Sequence, residues 1–213
     1  MEKRPSKKIL IVNYGMGNIG SVANALDYLG AAYIVSERAE DMIYADGFIL
    51  PGVGAFAAAM ENLRKLNLVD RLTEQVMVNK KPFLGICLGL QLMAYDSLEQ
   101  GYSKGLGWIN GHVLPLDPPG GLPVPHVGWN TLSFNKREPL FQRIDDEPSF
   151  YFDHSFYLRC DEDVVSATCD YGKKYAASIQ KENLFATQFH PEKSQRNGLK
   201  LLRNFLNFVD SHA

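Results

Sequence analysis

Phe83-Leu84-Gly85-Ile86, a short apolar run, passes without a spacer into Cys87-Leu88-Gly89-Leu90-Gln91-Leu92-Met93-Ala94. The first piece has the length and unbroken hydrophobicity of a strand buried on both faces. In the second, Leu90, Met93 and Ala94 fall at helical spacing, so a helix starts at once. A strand turning sharply into a helix lifts its corner residue, here Cys87, out of the sheet. The tight turn leaves no room for side chains two residues to either side, where Gly85 and Gly89 stand.

The same alternation extends upstream. Ile9 to Asn13 reads as a buried strand closed by Tyr14-Gly15-Met16-Gly17. Val22, Leu26 and Leu29 mark a helix stopped by Gly30, and Tyr33-Ile34-Val35 is a short strand. Gly47-Phe48-Ile49-Leu50 is another, ended by Pro51-Gly52-Val53-Gly54, and residues 55–80 read as helical with breaks near Asn67. Downstream of Gly101 the character changes. Asp117 to Pro123 is dense in Gly and Pro and reads as a long surface loop. Strands are expected over Phe150–Leu158, Ala176–Gln180 and Leu184–Phe189, and a last helix carries Leu202, Phe205, Leu206 and Val209, with Ser194 as its cap. The expected fold is α/β: an open, mainly parallel sheet flanked by helices, with a smaller mixed β region in the second half, forming one domain over 1–213.

The 213 residues are 46% hydrophobic and 22% charged, ordinary for a globular protein, and 22 cationic against 24 acidic side chains leave a net charge of −2. That balance gives no general basic face for nucleic acid. After the charged start Met1–Lys8 the apolar run is only four residues long, too short for a signal peptide, and no stretch approaches a membrane span. A cytoplasmic protein is expected. Cys87, Cys160 and Cys169 are odd in number with no CxxC pair, so neither a disulfide framework nor a zinc site is expected, and each is read as a free thiol. No metal and no cofactor are implied.

Cys87 is the candidate nucleophile. The following helix presents its positive end to the sulfur, which favours the thiolate, and the N–H of Leu88 is placed to receive negative charge. The alternative is a buried, inert cysteine between coincidental glycines. A thiolate needs a base and an orienting group, and His190-Pro191-Glu192 offers both at another strand end, against the alternative of a loop histidine and a solvated glutamate. Strand ends of a parallel sheet gather on one edge, where ligands bind. Gly52-Val53, also past a strand, is either a backbone approach to developing charge or a plain turn. Gly15-Met16-Gly17 lacks the third glycine of a dinucleotide site.

The elbow, the Pro51–Gly54 turn and the His190-Pro191-Glu192 end together resemble the class I (triad-type) glutamine amidotransferases. Asn13-Tyr14-Gly15-Met16-Gly17-Asn18, Pro51-Gly52-Val53-Gly54-Ala55-Phe56, Pro125-His126-Val127-Gly128-Trp129-Asn130 and His190-Pro191-Glu192-Lys193-Ser194 narrow the resemblance to the glutaminase subunits of imidazole glycerol phosphate synthase, from about Ile9 to Val209. The resemblance implies Cys87 as nucleophile, His190 as base and then acid, and Glu192 as orienter. It implies an oxyanion hole at Gly52, Val53 and Leu88, with the Gly52-Val53 peptide a switch that points the wrong way at rest. Glutamine is held by Gln91 and by the chain around His154, Ser155 and Phe156. Asn18, Trp129, Tyr151 and Lys193 face the partner, although Trp129 also reads as an interior aromatic and Lys193 as a solvated lysine. The resemblance further implies a separate (β/α)₈ cyclase as the partner, which would take the ammonia and form imidazole glycerol phosphate and aminoimidazole carboxamide ribotide for histidine synthesis.

One residue departs from the pattern. Asp153 stands where the family usually has a small apolar residue, beside the expected glutamine site. It is compatible with a paralogue that feeds ammonia to another synthase, such as one amidating a nucleotide sugar for surface polysaccharide, and equally with a solvated or paired carboxylate. A glutamine-independent cysteine hydrolase, isomerase or protease of the same fold, and a non-catalytic binding protein, are the other readings.

Overall fold

The computed structural model describes residues 8–212; the charged start over 1–7 lies outside the described residues. The first half runs β1 (Lys8–Val12), α1 (Ile19–Leu29), β2 (Ala32–Ser36), β3 (Gly47–Gly52), α2 (Phe56–Lys65), α3 (Leu68–Thr73), β4 (Phe83–Cys87) and α4 (Leu88–Leu92). The second half is mostly strands: β5 (Asp96–Ser97), β6 (Ser103–Lys104), β7 (Gly111–Pro115), β8 (His126–Phe134), β9 (Ser149–His154), β10 (Phe156–Cys160), β11 (Val165–Asp170), β12 (Lys174–Lys181) and β13 (Leu184–Thr187), before α5 (Gln195–His212).

A nine-stranded sheet has the order β2-β1-β3-β4-β13-β12-β11-β8-β9, and a four-stranded sheet the order β10-β7-β5-β6. The β2-β1-β3-β4-β13 half of the large sheet is parallel, and from β12 to β9 it continues antiparallel. The second-half strands therefore mostly extend the main sheet, while the four-stranded sheet is the smaller mixed region.

Strands β3, β4 and β13 are buried along their whole length, as continuous apolar runs require when helices cover both faces. One face sets Leu10, Phe48, Leu50, Phe83 and Leu184 against Phe56, Met60 and Leu63 of α2. The other sets Ile9, Ile11, Ile49, Leu84 and Phe185 against Val22 and Leu26 of α1 and Leu201, Leu202 and Phe205 of α5. Each such side chain contributes roughly 1.5–3 kcal/mol by leaving water. Gly30 ends α1 in the left-handed region at φ 68°. Asn67, at φ 55°, makes the break expected within 55–80, and a π-turn over Glu74–Val78 follows α3.

Two expectations need correction. Phe150–Leu158 is not one strand: Ser155 separates β9, in the large sheet, from β10, in the small one. Phe150, Phe152, His154, Phe156 and Leu158 keep an unbroken two-residue alternation across the break, so periodicity hides it. Ser194 accepts from the Gly198 N–H through its carbonyl, as an N-cap residue does, but its hydroxyl donates to the His190 carbonyl at 2.6 Å and accepts from the Tyr151 N–H at 3.0 Å. Ser194 is thus the cap residue by its backbone, while its hydroxyl secures the chain after His190 in place of a side-chain cap bond.

The parallel half fixes where the chemistry can sit. Gly52 is directly opposite Cys87, and Thr187 opposite Ile86, so the ends of β3, β4 and β13 converge on one edge.

Candidate active site

Cys87 is the corner between β4 and α4, with φ 55° and ψ −106°, a conformation L residues avoid and which surrounding structure must enforce. The enforcement is visible at both glycines. A Cβ on Gly85 would stand 2.7 Å from the Gly89 carbonyl oxygen, and a Cβ on Gly89 would collide with the Leu50 carbonyl. Helix α4 has only five residues, so the expected support from a helix dipole is limited; the nearest charge of consequence is an imidazole.

His190 follows the end of β13. Its Nδ1 is 2.8 Å from Glu192 Oε1, and the two side chains are 2% and 1% exposed. Carboxylate contact at Nδ1 leaves Nε2 for the thiol. Burial disfavours a charged ring here, but hydrogen bonding to Cys87 and Glu192, and their charges, outweigh it and push the His190 pKa up to about 10. The ring is therefore held as a proton carrier between a sulfur and a carboxylate. Its backbone is pinned as well, since the His190 N–H donates to the Tyr151 carbonyl at 2.9 Å.

In front of Cys87 lies a cavity of about 300 Å³ bounded by Val53, Gly54, Cys87, Leu88, Gln91, Glu99, Pro125, Asp153, His154, Ser155, Phe156 and His190. Gln91 and His154 reach the same wall: Gln91 Nε2 donates to the Phe156 carbonyl at 3.0 Å, and His154 Nδ1 lies 2.8 Å from that oxygen. Burial above all, with the nearby His126 and His190, pushes the His154 pKa down to about 4 against the contrary pull of the Phe156 carbonyl. His154 is thus neutral, with its hydrogen on Nδ1. Its Nε2 then accepts from His126 Nδ1 at 3.1 Å, and Asn130 Nδ2 meets His126 Nε2 at 3.3 Å. A chain of neutral groups buttresses the wall.

The family model for class-I glutamine amidotransferases matches residues 10–208. The chain belongs to the class-I glutamine amidotransferases. It is 49% identical to imidazole glycerol phosphate synthase subunit HisH 1 of Campylobacter jejuni (strain RM1221) over 93% of this chain and 98% of that protein. It is also 49% identical to subunit HisH 2 of Vibrio vulnificus (strain YJ016), over 95% of each. In fold, this amidotransferase is similar to a solved putative GMP synthase protein from Thermoplasma acidophilum, with a TM-score of 0.74 at 20% identity, covering 99% and 97% of the two chains.

Within this amidotransferase the expected site residues divide. Cys87, His190, Leu88, Gln91, His154, Ser155 and Phe156 all border the cavity, with Glu192 behind His190. Gly52 packs beneath it, where a Cβ would meet Leu88 Cβ at 2.7 Å and clash with the Tyr14 hydroxyl. The Val53 N–H is turned away from the cavity and donates to the Met16 carbonyl at 3.1 Å. Trp129 is not an interior aromatic: it is half-exposed, its ring 6.2 Å from that of Tyr151, and Lys193 Nζ lies 5.5 Å over the Tyr151 ring. Asn18 is half-buried at the start of α1, making no side-chain cap bond. Val127, Trp129, Tyr151 and Asp153 share the outer face of the β8–β9 pair, and His126, Phe152 and His154 the inner one. Asp153 is exposed at the cavity edge, and its carbonyl lies 3.8 Å from Cys87 Sγ.

Three groups escaped the sequence reading. Glu99 is a cavity carboxylate whose Oε2 accepts from the Phe56 N–H at 2.8 Å. His126 buttresses His154, its ring stacked against Tyr171 at 4.0 Å and Phe152 at 4.8 Å. Gln188 lies wholly buried behind Cys87. Only the His-Val-Gly-Trp-Asn block hinted at any of them. Among the described residues no cluster of three or more His, Cys, Asp or Glu could hold a metal ion, and no helix is long and apolar enough to cross a membrane.

Proposed function

We propose that this chain hydrolyses glutamine to glutamate and ammonia and passes the ammonia to a separate synthase protein. The supporting observation is the enclosed His190–Glu192 pair set against the strained Cys87 at the wall of an amino-acid-sized cavity. Cys87 attacks the side-chain amide carbon of glutamine as a thiolate. His190 delivers its proton to the leaving nitrogen, so that ammonia departs and a γ-glutamyl thioester remains. His190, now neutral, takes a proton from water, whose oxygen attacks the thioester; glutamate leaves and the thiolate returns. Glu192 keeps the ring in one tautomer and steadies its charge. Gln91, Ser155 and Phe156 hold the substrate, and the carboxylates of Glu99 and Asp153 stand where its ammonium can be met.

Oxyanion stabilisation begins with the N–H of Leu88, which as the first amide of α4 has no partner within the helix. The Val53 amide joins once the Gly52-Val53 peptide turns from Met16, each donor being worth roughly 10²–10³ in rate. Coupling that turn to partner docking would spare glutamine when no acceptor is present. The relatives are named as synthase subunits. We assign the acceptor to a (β/α)₈ cyclase of histidine synthesis that docks on the outer β8–β9 face with Asn18 and Lys193. Any lyase step belongs to that partner. We read the chain as one amidotransferase domain acting in the cytoplasm.

A paralogous role is the second reading. The relatives include proteins numbered HisH 1 and HisH 2, and Asp153 puts a charge on an otherwise apolar and aromatic docking row. Glutamine turnover with and without each candidate synthase of the host tests the pairing. Cys87→Ala tests the chemistry: the folded variant is expected to release no glutamate, and persistent turnover would remove the assignment.

A further inference from the structure

The polar groups behind the cavity form one ordered chain that ends on the sulfur of Cys87. A backbone carbonyl only accepts, so the Phe156 oxygen dictates that Gln91 turns its Nε2 inward, at 3.0 Å. The other Nε2 hydrogen goes to Gln188 Oε1, at 3.2 Å. With its oxygen so engaged, Gln188 directs its own Nε2 at Cys87 Sγ, at 3.6 Å. Turning the Gln188 amide over would set its N–H₂ against the N–H₂ of Gln91 and leave the ionised sulfur without this donor. Gln188 is wholly buried, and its backbone N–H is tied to the Ala177 carbonyl at 2.8 Å, so neither water nor backbone motion offers its amide another arrangement.

We propose that Gln188 is a positioning residue for the nucleophile: its amide donates to the Cys87 sulfur, holding it at the corner and favouring its negative charge, while its oxygen locks Gln91. The inference rests on Cys87 being the nucleophile. It assigns the two ends of one amide different tasks. The N–H end supports the sulfur, because a donor aimed at an ion favours the ionised form. The oxygen end consumes the last Gln91 donor, leaving Gln91 only its own oxygen, an acceptor, to offer an incoming N–H of the substrate. Gln188 touches neither substrate nor leaving group and acts through its neighbours.

Gln188→Met and Gln188→Glu separate the two tasks. The first keeps the bulk and removes both polar ends; the second keeps an acceptor for Gln91 and sets an oxygen against the sulfur. The rate of Cys87 alkylation by iodoacetamide, followed across pH by mass spectrometry of the Cys87 peptide, reads the thiolate directly, and steady-state glutaminase assays on the complex with the synthase read kcat and KM. In both variants the alkylation inflection is expected to rise by about one pH unit or more, with kcat at neutral pH down about tenfold or more. KM is expected to rise in Gln188→Met, where Gln91 is released, and to stay within about threefold of wild type in Gln188→Glu. Near-UV circular dichroism establishes that each variant is folded, and if the methionine variant is not, Gln188→Glu alone decides. A folded variant with the wild-type inflection and kcat overturns the proposal while leaving the glutaminase assignment intact. Wild-type protein that hydrolyses no glutamine in the complex, by contrast, ends the reading of Cys87.

Discussion

Replacing Glu192 by Gln changes one atom of a buried triad and tests what the carboxylate does. Glu192 Oε1 lies 2.8 Å from His190 Nδ1 with both side chains shut off from water, so screening is weak and the charge acts at close range. The rise of the His190 pKa from 6.5 to about 10, which is what Cys87 and Glu192 achieve against the opposing cost of burial, corresponds to about 5 kcal/mol favouring the protonated ring. Glu192 supplies part of that hold, and each pKa unit lost with its charge weakens the ring's grip on the proton about tenfold. An amide can also offer Nδ1 its N–H₂ end and impose the wrong tautomer, which adds to the loss. The expected outcome for Glu192→Gln is a fall in glutaminase kcat of about 10²–10⁴ with KM for glutamine within about threefold. The assay is glutamate release by the complex at saturating glutamine, with thermal melting to establish the fold. A loss under about tenfold in a folded variant would refute the view that Glu192 charges and orients the ring.

Other consequences are equally direct. Gly52→Ala brings a Cβ to 2.7 Å from Leu88 Cβ, so calorimetry should record a destabilisation of about 1–3 kcal/mol, and the displaced Leu88 should carry glutaminase activity down with it. His154 is held neutral with a pKa of about 4, whereas an unfolded histidine takes its proton near 6.5. The unfolded chain therefore binds more protons across that window, and the neutral ring's contribution, complete above pH 6.5, is lost as pH falls toward 4. His154→Gln should lose about 2 kcal/mol less stability than wild type between pH 7 and 4.5, read from urea midpoints; identical losses would contradict the burial argument. Trp129→Ala should leave folding stability within about 0.5 kcal/mol, since the ring is half-exposed, but weaken synthase binding about tenfold or more by titration calorimetry.

The residues of the site differ in how much of their role is written in the local sequence. The elbow was legible because its requirements are local: two glycines, a cysteine, and the change from a strand run to a helical one. Strands β1, β3 and β4 were legible for the same reason. His190 and Glu192 were legible as a pair at a strand end, and the sheet order brought them to Cys87. What failed was non-local. Nothing in the alternation from Phe150 to Leu158 marks Ser155 as the point where the chain leaves one sheet for another. Gln188, in the bend just past β13, and His126, at the start of β8, are polar residues whose tasks come from partners 101 and 28 positions away. The outward turn of the Val53 amide came with the family resemblance and not from the residues themselves; what holds it is Met16, close enough to accept it. Ser194 occupied the expected place, but its hydroxyl found stronger claims than the helix.

The β8–β9 pair has a consequence for how this protein listens to its surroundings. Its inner row holds His126 and His154 against the reaction centre, and its outer row presents Trp129, Tyr151 and Asp153 to whatever arrives from outside. Successive residues of one pleated ribbon cannot be moved independently. Under the docking proposed above, a shift of the outer row would carry the inner row with it, and the message would have only one backbone's thickness to cross.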